Sequence, residues 1–250
     1  MEALLEVREL SLRFGGITAL SQIGLAVAEG ETLAVIGPNG SGKTSLFNCI
    51  TSIYRPTSGA IRFRGEPLTR HSPDEVTRLG IARTFQNLRL FHNMSVLDNL
   101  MVGRHLHFRK NPLAAVLRLR GEETRHRRRC EEIVEFLNLE PVRKTRAGDC
   151  PYGVQKRVEL GRALATEPRL LLLDEPVSGL TQEEKEEFAY WIHEIRGRFG
   201  ITILLVEHDL RVASRLAGRM VALDHGVKIA EGTPAAVQRH PDVIKAYLGE

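Results

Sequence analysis

Gly37-Pro38-Asn39-Gly40-Ser41-Gly42-Lys43-Thr44 constrains this chain more than any other stretch of it. The octapeptide fits the phosphate-binding loop pattern in full: glycine, four variable positions, glycine, lysine, then serine or threonine. Its glycines free the backbone to curl, so that successive N–H groups face inward at an anion. A helix that follows such a loop adds the positive end of its dipole to the same anion. The flanks match. Thr32 to Ile36 is apolar and β-branched, which reads as a fully buried strand, and Ser45 to Thr51 reads as the following helix. In that setting Gly37, Pro38, Asn39, Gly40, Ser41 and Gly42 form the cradle. Lys43 reaches the β- and γ-phosphates, and Thr44 binds Mg²⁺. A chance glycine-rich turn is the competing reading, and the strand before and helix after weigh against it.

Two further segments carry chemistry. Leu170-Leu171-Leu172-Leu173-Asp174-Glu175-Pro176 is an apolar strand ending in two carboxylates, at the sheet edge where α/β proteins bind ligands. Asp174 is placed to hold Mg²⁺ through its water shell, and Glu175 to polarise an attacking water. Two acids after a strand are equally common on solvated loops; a phosphate-binding loop in the same chain favours the ligand reading. His208 follows the buried-looking run Ile201 to Glu207, so it should share that crevice and hydrogen-bond a γ-phosphate. A histidine taken alone is more often structural.

Composition narrows the setting. Hydrophobic residues make up 42% of the 250 residues and charged ones 26%, an ordinary globular balance that excludes wholesale disorder. A formal charge of +4 is too small to argue for nucleic acid. Cys49, Cys130 and Cys150 are odd in number and widely spaced, which suggests neither a disulfide framework nor a zinc site and fits a reducing compartment. Met1-Glu2-Ala3 does not begin a basic-then-apolar leader. Apolar runs such as Leu170 to Leu173 fall far short of the roughly 20 residues that span a bilayer.

Along the chain, Leu5 to Phe14 alternates apolar and polar as a half-buried strand, with further strand signals at Leu25 to Val27 and Ile61 to Arg64. From about Asn87 to Asp149 charged helix-forming runs replace strands, which reads as an inserted helical subdomain. Val154, Val158, Leu164 and Ala165 then recur at helical spacing. A helix from Glu183 to Arg196 between two apolar strands predicts a right-handed βαβ crossover. Asp224-His225-Gly226 marks a hairpin. Arg125-His126-Arg127-Arg128-Arg129 reads as a solvated helix face, with contact to anionic lipid the alternative. His105 and His107 have no partners at metal-ligand spacing, and Trp191 is most simply core packing.

Together the loop, the strand ending in Asp174-Glu175-Pro176, and Glu207-His208-Asp209 resemble the ATPase domain of ABC transporters. Other elements match in the family's order. Phe14 sits where an aromatic stacks on adenine. Gln86, in Arg83-Thr84-Phe85-Gln86-Asn87, matches the Q-loop glutamine that contacts Mg²⁺ and faces the membrane subunit. Tyr152-Gly153-Val154-Gln155 matches the signature segment, and Ser178-Gly179-Leu180 the D-loop. Residues Ile81 to Phe91, the arginine-rich stretch Arg104 to Arg129, and the tail from Ala230 to Glu250 are similar to the ATPases of branched-chain amino acid importers, a subfamily that also serves urea and amides.

The resemblance implies an α/β fold: a P-loop NTPase core with a parallel central sheet, an N-terminal antiparallel β subdomain and an inserted helical subdomain. The core comprises residues 1–86 and 163–250, and the helical part about 87–162. It implies ATP and Mg²⁺ as ligands, with Thr44, Gln86 and Asp174 at the metal and Lys43, Glu175 and His208 catalytic. It implies a head-to-tail homodimer, or a heterodimer with a related ATPase, in which ATP lies between one P-loop and the partner's Tyr152, Gly153 and Gln155. Polytopic permease subunits and an extracytoplasmic solute-binding protein complete the assembly. It would lie peripherally at the cytoplasmic side of the inner membrane, with no nucleic acid. Two positions depart from the pattern: Pro151 replaces the signature serine, and Thr181 the D-loop acid. The competing functions are a soluble ABC-type ATPase acting in DNA repair or translation, and an ATP-binding switch without turnover. The chain lacks the long coiled-coil insertion or second ATPase unit of the former, and Glu175 and His208 fill both hydrolytic positions against the latter.

Overall fold

Apolar character over Leu170 to Leu173 and, but for Thr202, over Ile201 to Val206 demands cover on both faces of a sheet, and the fold supplies it. The computed structural model describes residues 3–108 and 120–248, apart from the side chains of residues 120 and 121. Met1-Glu2, the middle of the arginine-rich stretch and the final Gly249-Glu250 lie outside the described residues. In chain order the strands are β1 (Ala3–Phe14), β2 (Ile17–Ala28), β3 (Thr32–Ile36), β4 (Ser58–Phe63), β5 (Glu66–Pro67), β6 (Ile81–Arg83), β7 (Leu170–Asp174), β8 (Thr202–Glu207), β9 (Arg219–Asp224) and β10 (Val227–Gly232). The helices are α1 (Lys43–Ile50), α2 (Pro73–Arg78), α3 (Val96–Arg104), α4 (Arg120–Phe136), α5 (Tyr152–Leu164), α6 (Gln182–Phe199), α7 (Leu210–Leu216), α8 (Pro234–Gln238) and α9 (Pro241–Leu248).

Two sheets form, in strand orders β2-β1-β4-β5 and β10-β9-β3-β8-β7-β6. The first is antiparallel throughout. In the second, β3 pairs in parallel with β8 and β9, and β7 with β8 and β6. Only the edge strand β10 runs antiparallel, through the expected hairpin, so the central sheet is mixed rather than wholly parallel. His225 and Gly226 both have positive φ (43° and 77°), the backbone that a two-residue hairpin turn with right-handed strand twist requires. Alternation in β1 also slips phase. Leu5 and Val7 are buried, then Leu10 and Leu12, with the register shifting across Glu9, whose φ is 45°. A β-bulge there re-aims the strand.

Two hydrophobic clusters lie on opposite faces of the central sheet. Ala34, Ile36, Leu171, Leu173, Ile203 and Leu205 belong to one; Leu33, Val35, Leu170, Leu172, Leu204 and Val206 belong to the other. The first face is covered by α3 to α6, with Trp191 buried in it edge-on to Phe188. Within the helical segment Gly161 lets Leu100 and Leu137 pack against α5. His126, read as part of a solvated run, is 5% exposed and points inward, with Arg104 Nε 3.2 Å from its Nδ1. Its neighbours Arg128 and Arg129 face outward and pair with Glu132. All three cysteines are buried, and burial pushes the thiols of Cys49 and Cys130 up to about 11.

Gly103 on α3 abuts the Arg162 carbonyl of α5 so closely that a Cβ would overlap it. Gly103→Ala is therefore expected to force the two helices apart and destabilise the chain by roughly 1–3 kcal/mol, an overpacking effect. The urea midpoint should fall with an unchanged m-value; an unaltered midpoint would show that the helices part without cost.

Candidate active site

Parallel pairing brings the carboxyl ends of β3, β6, β7 and β8 to one edge, and each sequence-predicted polar group follows one of them. Ile36 stands opposite Glu207 and Asp174 opposite Val206, so Gly37, Glu175 and His208 leave the sheet at nearly one level. The loop after β3 has little room for side chains. Gly37 has a φ of 153°, and a Cβ there would overlap the Leu223 carbonyl. Gly42 has a φ of 103°, and its Cβ would lie 2.8 Å from the Ala19 carbonyl. The hairpin turn braces this loop: Gly226 N–H donates to Ser41 O at 3.0 Å, and Ser21 N–H to Gly226 O at 2.8 Å.

Lys43 is buried and arches back over the loop, its Nζ donating to Gly37 O at 2.7 Å and Pro38 O at 2.9 Å. Burial pulls its pKa down, opposed by the charges of Glu175, Asp174 and Glu207. Ser41 Oγ is buried beside Gly37 without a hydrogen-bond partner among the described residues, a polar atom that such a loop leaves to be satisfied.

Asp174 is 4% exposed at the side chain, and its Oδ2 accepts from Arg83 Nη2 at 2.7 Å. Glu175 adopts a left-handed φ of 46°, a strained conformation for a residue with a Cβ. Its backbone N–H donates to Val206 O at 3.0 Å. Gln86 Nε2 donates to Glu175 Oε2 at 2.9 Å, and His208 Nδ1 lies 3.5 Å from Oε1. The carboxylate is thus held from two sides. Thr44, Asp174 and Gln86 offer hydroxyl, carboxylate and amide oxygens, a hard donor set that fits Mg²⁺.

Other predicted residues lie elsewhere. Phe14 is exposed at the end of β1, its ring edge-on to Tyr54 at 5.1 Å. Tyr152 Oη donates to Ser178 O at 3.5 Å, and Gln155 Nε2 to Cys150 O at 2.8 Å. Gly153 packs against Glu184 at the start of α6. Pro151 is the N-cap of α5 (φ −54°, ψ 154°), just outside its first turn.

Four residues at this edge were not anticipated. Arg83 reaches Asp174. Lys156, on α5, is buried with its Nζ 3.4 Å from Glu175 O; burial lowers its pKa against the pull of Glu159, Glu207, Glu175 and Asp174. Burial and then the charge of Glu175 push Glu207 up to about 7, against backbone N–H groups of Val177 and His208. Tyr247 on α9 turns its buried hydroxyl toward the Gly37 backbone, and burial pushes it up to about 12. A charged residue after the apolar pair Ile81-Ala82 was the available signal for Arg83; Lys156, between Gln155 and Arg157, has none.

Known proteins resemble this chain over nearly all of its length. The ABC transporter family matches residues 20–178, and a branched-chain amino acid ATP-binding cassette transporter family matches residues 227–250. The high-affinity branched-chain amino acid transport ATP-binding protein BraF of Pseudomonas aeruginosa is 40% identical over 250 residues, covering 99% of this chain and 98% of that protein. LivG of Escherichia coli, of the same description, is 37% identical over 252 residues, covering 100% and 99%. Among solved structures, an ATP-binding cassette of an ABC transporter in its ADP conformation superposes with a TM-score of 0.88 at 31% identity, and a nucleotide-free cassette with 0.87 at 30%, each covering 100% of both chains.

The Glu207 carboxyl gives a pH test. An unfolded glutamate titrates near 4.5 and the folded one near 7, so the unfolded chain loses this proton first as pH rises. Glu207 then costs stability increasingly between those values and by a constant amount above them. Glu207→Gln should gain on wild type by up to about 3 kcal/mol between pH 4.5 and 8. Parallel stability curves for the two proteins across that range, measured by chemical denaturation, would refute the assignment.

Proposed function

This chain belongs to the ABC transporter family of ATP-binding proteins, and we propose that it is the ATP-hydrolysing subunit of an importer. The observation that carries the hydrolytic part is the Glu175 carboxylate held between Gln86 Nε2 and His208 Nδ1, at the sheet edge shared with Lys43. Backbone N–H groups of Gly37 to Gly42 bind the phosphates, and Lys43 turns from its own loop carbonyls to the β- and γ-oxygens. Thr44, Asp174 and Gln86 would hold Mg²⁺, which when bound would supply charge neutralisation on those oxygens. Glu175 orients and deprotonates the attacking water, while His208 donates to the γ-phosphate. The Gln86 amide then has two partners to choose between, the base or the metal, which links the loop after β6 to the hydrolytic step.

In the assembly we propose, two such chains, identical or related, close head to tail on two ATP molecules. Phe14 stacks on the adenine, and Tyr152, Gly153 and Gln155 reach the partner's nucleotide. Residues 1–86 and 163–250 act as the core and about 87–162 as the helical part. No helix among the described residues is long and apolar enough to cross a membrane. Attachment to the cytoplasmic side of the inner membrane then falls to polytopic permease subunits, which a solute-binding protein loads from the far side. The cargo we propose is a branched-chain amino acid or a related small polar solute such as urea or an amide; the names of the relatives and the match at residues 227–250 favour the first.

Affinity purification of the tagged chain from detergent-solubilised native membranes, followed by mass spectrometry, tests the transport reading. Co-purifying polytopic permeases are the expected outcome; recovery of ribosomal or DNA-repair proteins alone would overturn it and favour a soluble ATPase. Glu175→Gln should retain ATP binding and lose hydrolysis by about 10²–10⁴-fold. Phosphate release within a few-fold of wild type would remove Glu175 from the role of general base.

A further inference from the structure

Three carboxylates, those of Asp174, Glu175 and Glu207, share the carboxyl edge of the sheet with three cations, Lys43, Lys156 and Arg83. Arg83 is the cation bound most directly. Its side chain is 6% exposed, with Nη2 2.7 Å from Asp174 Oδ2 and Nη1 2.7 Å from Asn48 Oδ1 on α1. The guanidinium lies against the rings of Phe47 and Phe85, at 5.4 and 4.9 Å from their centroids. Its Nε is buried with no hydrogen-bond partner among the described residues. A cation so deeply placed and incompletely satisfied is costly to fold around, so packing alone is a poor account of it.

We infer that Arg83 is a positioning residue that sets the metal affinity of Asp174. By pairing with Oδ2 it neutralises the carboxylate before nucleotide arrives, and leaves Oδ1 for the metal's water shell. A free divalent cation then meets a site with little net negative charge, and the phosphates of ATP must supply the missing attraction. Metal is thereby admitted together with nucleotide rather than ahead of it. The tether to Asn48 holds the guanidinium between α1 and β7, and a fork-shaped cation suits that bridge better than a point charge. The inference rests on Asp174 being a metal ligand.

Titration of the full-length chain with Mn²⁺, followed by electron paramagnetic resonance, separates the two claims. Wild type should bind Mn²⁺ weakly alone and tightly with a non-hydrolysable ATP analogue; failure to bind even with the analogue would sink the metal assignment itself. Without nucleotide, Arg83→Met should bind Mn²⁺ at least about tenfold more tightly than wild type, because a positive charge is gone, while Arg83→Lys stays near wild type. If Arg83→Met binds no more tightly than wild type, or if Arg83→Lys shifts as far, the charge-setting role is overturned. Should Arg83→Met fail to fold, Asn48→Asp serves instead. Its added carboxylate offsets the guanidinium from the other side, so Mn²⁺ binding without nucleotide should tighten several-fold; an unchanged affinity would refute the inference.

Discussion

Parallel hydrogen bonding of β3 to β8 and of β8 to β7 fixes where Asp174, Glu175, Glu207 and His208 lie. Buried strands must satisfy their N–H and C=O groups within the sheet, so register is not free to drift by a residue. A slip of one residue in β7 would send Leu171 and Leu173 to the wrong cluster and withdraw Asp174 from the level of Val206. The two apolar clusters thus lock the register, and the register delivers Gly37, Asp174, Glu175 and His208 to one edge. The geometry of this edge is a by-product of core packing, held by buried leucine and isoleucine side chains.

Concentrating acids at that edge carries an electrostatic cost, and the cations present answer it. Glu207 is pushed up to about 7 by burial and by Glu175. Lys43 and Lys156 are drawn down by burial and held up by the same carboxylates. Arg83 ties Asp174 to α1. Each cation comes from a different element: the start of α1, the helix that opens behind Pro151, and the strand that leads to Gln86. Any motion of one element relative to the others therefore changes the charge balance at Glu175 and Asp174. Electrostatics alone makes the helical segment and the core mechanically dependent.

Sequence reasoning recovers what local pattern encodes. The loop from Gly37 to Thr44, the strand ending at Asp174, the β7-α6-β8 crossover and the 224–226 hairpin are each legible because a short run of residues forces one backbone solution. What pattern misses is set by tertiary contact. β6 has only three residues, too few to show periodicity, and exists because it pairs with Leu170 to Leu172. Within β2 the signal at Leu25 to Val27 covers a fraction of a strand that begins at Ile17. The bulge at Glu9 shows in the sequence only as the polar pair Arg8-Glu9, across which the apolar positions change from odd to even numbers. No local pattern brings Arg83, Lys156 and Glu207 together, because a charge is buried only when distant residues compensate it, and no local window contains both. His126 is the mirror case, an inward residue inside an arginine run.

The two departures from the family pattern, Pro151 and Thr181, acquire a physical account from capping. Pro151 brings no side-chain cap to α5, and its fixed φ suits the extended N-cap conformation it adopts. The free N–H groups of the first turn still point out of the helix end. Thr181 caps α6: its Oγ1 accepts from Glu184 N–H at 3.3 Å, and its own N–H donates to Glu184 Oε2 at 2.8 Å. That capping box retains a carboxylate at the position where the acid is missing, supplied by Glu184 from one turn along. The same carboxylate packs against Gly153, where a Cβ would overlap Oε1. A Cβ at 153 would therefore have to displace the carboxylate that completes the capping box, so the start of α5 and the start of α6 meet at Glu184.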